Sequence, residues 1–179
     1  MQEHRRAIVT TLLVLGAIAL AVVVVKVLDA VGDPTPHAGG LPVSAVLSRA
    51  TPAVAPFTGL SELKVAVGYD HCLRLAVADT LDERVAGLRN HTDLGPYDGM
   101  LFVFQGPSNS GFTMSGVTVP LDIAFFGADG ARGSTRAMKP CAKAEPECPA
   151  YLADGAYVYA VETLGGRLPS GPLTACAPA

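Results

Sequence analysis

Cys72-Leu-Arg-Leu-Ala-Val-Ala-Asp79 runs directly into Thr80-Leu-Asp-Glu-Arg-Val-Ala-Gly-Leu88, and the residue period changes at the join. In the first segment Leu73, Leu75 and Val77 alternate with Cys72, Arg74 and Ala76, the period-2 pattern of a half-buried strand. In the second, Thr80 and Glu83 stand three apart at the head of an apolar spacing. That is a capping box: the Thr80 hydroxyl accepts a backbone N–H while the Glu83 carboxylate reaches back to the helix start. Leu81, Val85 and Leu88 share one face of the predicted helix, which ends near Gly87.

Outward from this junction the chain reads as short strands. Lys64–Val67 precedes it. Met100–Phe104 follows, bounded by Asp98-Gly99 and Gly106-Pro107, then Gly111–Met114 and Leu121–Gly127. Asp129-Gly130 is a hairpin turn leading into Arg132–Met138. Tyr157–Thr163 alternates again, and Pro172–Ala175 closes the series. Many short strands with Gly and Pro turns and one capped helix predict a mainly β domain over residues 62–179. The expected architecture is a compact antiparallel sandwich or barrel.

The N-terminal third has a different character. From Ala7 to Val25 the chain carries 19 uncharged residues, which as a helix would extend roughly 28 Å, the thickness of a bilayer core. Arg5 and Arg6 precede this span, so residues 1–6 are expected in the cytoplasm, 7–28 as a single transmembrane anchor, and the remainder outside. The alternative is a secreted protein released by signal cleavage at Ala30-Val31-Gly32. A signal peptide's apolar region is normally about 7–15 residues, which is shorter than this one. Residues 29–61, with Pro34, Pro36, Pro42, Pro52 and Pro56, read as a Pro/Gly-rich tether. One short helix fits inside it, with Pro42 at its first turn and Val43, Val46 and Leu47 on one face.

Charge excludes nucleic acid as a partner. The chain holds 13 basic and 16 acidic residues; without the first 28 these become 10 and 15, and no basic face emerges. The four cysteines, at 72, 141, 148 and 176, all follow the apolar span. An even count outside the membrane reads as two disulfides. Of three connectivities, Cys141–Cys148 is the local loop staple, which leaves Cys72 with Cys176. Zinc lacks a Cys-x-x-Cys pair or clustered histidines here.

From about Val65 to Cys148, with weaker similarity to near Glu162, the chain resembles domain of unknown function family 192. The resemblance rests on Val77-Ala-Asp79-Thr80 with Glu83-Arg84 and Gly87-Leu88, on Gly99-Met100-Leu101-Phe102, and on Phe112 with Met114. Pro120-Leu121-Asp122, Met138, Cys141 and Cys148-Pro149 complete it. It implies strand, capped helix and β block in that order, and no assigned reaction. The family typically has Phe-Trp-Met-Lys-Asn-Thr where this chain has Phe112-Thr113-Met114-Ser115-Gly116-Val117. It also has Met after Gly-Leu where this chain has Arg89. Any grip those larger polar groups provide is absent here.

No catalytic constellation stands out. Gly106-Pro107-Ser108-Asn109-Ser110 misses the nucleophile-elbow pattern at its last glycine. Glu83 has a capping role, which weakens an acid–base pair with Asp122. His71 and His91 lack ligand spacing. Met100, Phe112, Met114, Pro120 and Asp122 form the candidate binding surface, for a small molecule or an envelope component, with no metal and no cofactor. The alternative is an envelope enzyme or a Cu(I) site using Met100, Met114, Met138 and the Asp122 region. Flanking Phe102, Phe104, Phe112 and Phe125 favour packing for those methionines.

Overall fold

A computed structural model describes residues 42–68 and 71–176. The predicted anchor at 7–28 lies outside the described residues, and among those described no helix is long and apolar enough to cross a membrane. The short helix of the tether is present as α1 (Val43–Leu47), with Pro42 at its N-cap and Val46 buried. After β1 (Thr51–Pro52), the strands β2 (Ser61–Val67) and β3 (Cys72–Ala78) pair antiparallel. Their register sets Leu63 opposite Leu75 and Val65 opposite Leu73, so the alternating leucines and valines meet on one face.

The capping box forms as the sequence predicts. At α2 (Leu81–Ala86), the Glu83 N–H donates to Thr80 Oγ1, and the N–H groups of Asp79 and Thr80 donate to Glu83 Oε2. Its apolar face does not enter the core, however. Leu81 and Val85 are 68% and 56% exposed, and only Leu88, beyond the helix, is buried. The loop after α2, through Leu88, Leu94 and Tyr97, covers the sheet instead. Tyr97 is fixed by donating to Glu62 and accepting from Val54 N–H, and Asp98 accepts from Arg74 N–H. These bonds deliver the chain to Gly99, where β4 (Gly99–Ser108) begins.

The remaining strands are β5 (Phe112–Thr113), β6 (Leu121–Phe126), β7 (Arg132–Met138), β8 (Ala150–Tyr151), β9 (Tyr157–Leu164) and β10 (Leu173–Ala175). One eight-stranded sheet runs β1-β2-β3-β4-β9-β6-β7, with β10 also on β2, and β5 pairs with β8 separately. The mainly β prediction is correct, but the sheet is neither wholly antiparallel nor closed into a barrel. β3 and β4 are parallel, because the α2 crossover between them is long enough to return the chain to the same end of the sheet.

Each sheet face carries an apolar layer. Leu75, Leu101, Val103, Ala124, Phe126, Tyr159 and Val161 form one, covered by Val46 of α1. Met100, Phe102, Ile123, Phe125, Met138 and Ala160 form the other, covered by the post-α2 loop, Met114 and Val117. β9 and the first half of β4, Gly99 to Val103, are therefore buried on both faces, as central strands are. Gly99 is required at their contact: a Cβ there would lie 1.9 Å from the Glu162 carbonyl oxygen.

Both disulfides are the expected ones, Cys72–Cys176 and Cys141–Cys148. They close 104- and 7-residue separations, for which the chain-entropy model gives about 4.7 and about 2.4 kcal/mol. Removing the long bridge with paired Cys→Ser changes should therefore lower the unfolding midpoint more than removing the short one. Equal losses in denaturant titrations would contradict this.

Candidate ligand pocket

The five residues expected to share a binding face occupy different surroundings. Met100 and Met114 are 1% and 0% exposed and pack, with Met138, in the apolar layer of one sheet face. Pro120 is exposed. Strand alternation turns Asp122 to the face opposite Leu121 and Ile123. Its Oδ2 accepts the Gly166 N–H at 2.6 Å, fixing the turn after β9. Glu83 is taken up by the capping box, and His91 lies against Phe57 at 4.7 Å. Among the described residues no three His, Cys, Asp or Glu side chains gather as a metal site. Phe112 is the member of the five that lines a cavity.

That cavity, of about 280 Å³, opens beside α2. Phe102 and Phe104 of β4 and Phe112 of β5 wall it, and Phe102 meets Phe112 edge-on at 4.9 Å. Leu81 and Val85, the helix face that the core does not take, form its lip. Thr113, where the resembling family has Trp, also lines it, and the small side chain leaves the space open. Arg84 lies 4.8 Å over the Phe104 ring, and its Nη1 donates to the carbonyls of Asp79 and Val103. Arg89 at the rim pairs with Glu145. Glu145 sits inside the Cys141–Cys148 loop, so the short disulfide shapes this rim.

Glu162 is the polar group in the depth. It lies on β9 between its register partners Met100 of β4 and Ile123 of β6, and it is 5% exposed. It is the only buried acidic or basic side chain among the described residues. No hydrogen bond or ion pair to another described residue satisfies it. Yet no buried side-chain oxygen is fully enclosed without a partner, so the carboxyl opens to the pocket it lines. Burial alone pushes its pKa from the ordinary 4.5 to about 8, since no neighbouring cation offsets the desolvation. The alternation read over Tyr157–Thr163 does not single out Glu162, and an alternating strand would leave one of its faces to solvent. The signal that could have found it is the unbroken apolar run Tyr157-Val-Tyr-Ala-Val161, which marks a strand buried on both sides and takes Glu162 inside with it.

A model of the family described as uncharacterized ACR, domain of unknown function family 192, matches residues 63–171. The chain is similar in structure to a protein of unknown function from Novosphingobium aromaticivorans DSM 12444. They share 31% identity, with 65% of this chain and 82% of that one covered, at a TM-score of 0.57. It is also similar in fold to a protein of Sinorhizobium meliloti 1021 titled a putative transcription regulator. There the identity is 21%, the coverage 64% and 92%, and the TM-score 0.56. No curated protein matches the chain.

Because the folded pKa of Glu162 lies above the unfolded one, its protonated form contributes stability that is complete below about 4.5. That contribution is lost as pH rises through about 8. The difference amounts to several kcal/mol, on the order of 3 by pH 7. Glu162→Gln, neutral at every pH, should match wild type near pH 4 and exceed it in stability at pH 8. Denaturation curves whose separation does not change with pH would contradict the assignment.

Proposed function

Starting from the fact that the chain belongs to domain of unknown function family 192, we propose that it is a non-catalytic small-molecule binding domain. In this reading the 7–28 segment anchors it in the cell membrane and the described domain faces outside. The observation that carries the binding role is Glu162: a carboxyl with no partner among the described residues, lining an aromatic cavity. A structural carboxyl in such a layer would be hydrogen-bonded or replaced by an apolar side chain. An unsatisfied one beside a cavity is the signature of a group kept for a ligand.

The mouth supports this. Four large hydrophobic side chains are exposed among the described residues, Val54, Leu81, Val85 and Leu152. Leu81 and Val85 line the pocket, and Leu152 reaches the pocket residue Gly111. The extracytoplasmic location draws support from the 19-residue uncharged span and from two disulfides, which persist in oxidising compartments. Copper binding is not favoured, because Met100, Met114 and Met138 are all at most 1% exposed within the packed layer.

The test uses the full chain in detergent. Native mass spectrometry of wild type should show a small-molecule adduct, from the host or from a fragment mixture, that Thr113→Trp abolishes by filling the cavity. A reporter fused to the C-terminus should be active only outside the cytoplasm. Adducts of equal occupancy on Thr113→Trp, or none on wild type after fragment screening, would overturn the binding role; a reporter active inside would overturn the topology.

A further inference from the structure

We propose that the pocket selects a small protonated amine with an apolar body, its ammonium on the Glu162 carboxylate and its hydrocarbon against Phe102, Phe104 and Phe112. This rests on the small-molecule reading above and adds the chemical class. The most buried polar group lining the cavity is an acid with no donor among the described residues. As a neutral acid it presents one O–H and two weak acceptors to an apolar space. A ligand cation supplies the missing partner and turns the site into a charge-assisted pair.

The walls point the same way. Aromatic faces attract cations through the ring quadrupole, and three phenyl rings border this small space. Once Glu162 is ionised, at and above about pH 8, a ligand carboxylate in the depth would meet it as a like charge. The two arginines do not reverse this: Arg89 is already paired with Glu145, and Arg84 is held by two carbonyls and the Phe104 ring. Arg84, Arg89 and Glu145 are the other charged groups lining the cavity, and from the flanking strands only apolar Met100 and Ile123 stand beside Glu162 in register. A volume of about 280 Å³ suits a body of one ring or a short branched chain, at the small end of ligand pockets.

Binding an ammonium to protonated Glu162 releases a proton. Amine affinity should therefore rise with pH through the neutral range, approaching tenfold per pH unit, and level off above about 8.

The experiment titrates the full chain in detergent with 2-phenylethylamine, 2-phenylethanol and 3-phenylpropionate, which share a ring and differ in the end group. The amine should bind at least about tenfold tighter than the alcohol at pH 8, and the carboxylate weakest. Glu162→Gln should remove the amine's advantage over the alcohol and its pH dependence. If the alcohol or carboxylate binds in the pocket as well as the amine, or Glu162→Gln leaves the preference intact, the amine inference fails and small-molecule binding stands. If none of the three binds and the fragment adducts described above are also missing, both readings fail together.

Discussion

Strand β9 is hydrogen-bonded on both edges, to β4 and β6, and covered on both faces. Everything distinctive about the molecule follows from that placement. A strand so enclosed accepts polar side chains only at a penalty, and its sequence complies from Tyr157 to Val161. Glu162 is the exception. It is buried between β4 and β6 and lines a cavity, and burial alone raises its pKa. The same enclosure explains Gly99: β4 can approach the Glu162 carbonyl only without a Cβ.

The pocket owes its shape to elements that withhold themselves from the core. A six-residue helix on a parallel crossover cannot both span the connection and seal the sheet, so the loop carrying Leu88, Leu94 and Tyr97 seals it. Leu81 and Val85 are left at the cavity's lip. Thr113 stays small, and the Cys141–Cys148 loop brings Glu145 to Arg89 at the rim. On the proposed binding role, stability and function pull apart at one residue: replacing Glu162 by a neutral isostere removes a desolvation penalty from the sheet's centre, and removes the carboxyl that the proposal assigns to a ligand.

Much of the fold was legible because local signals agreed with the tertiary outcome. The Thr80–Glu83 box, the alternation in β3, the Asp129-Gly130 turn and the Pro42-led helix all form as their chemistry predicts. The parallel β3–β4 pairing was not legible, since strand direction depends on where a crossover lands. Nor was the burial of Met100 and Met114, whose motif glycines and aromatics describe packing as readily as a surface. Of the five residues read as one binding face, Phe112 lines the cavity. Glu162 was missed because an acid in a strand is ordinarily solvent-facing, and only the run before it shows that this strand has no solvent face.

The whole site depends on the Glu162 carboxyl standing at the cavity without a partner among the described residues. Its own titration, followed by carboxyl ¹³C chemical shift in ligand-free protein and assigned by the signal missing in Glu162→Gln, tests this most directly. The account predicts a midpoint near 8. A midpoint at the ordinary glutamate value of 4.5 would mean the carboxyl is solvated or paired, and the site described here would not exist.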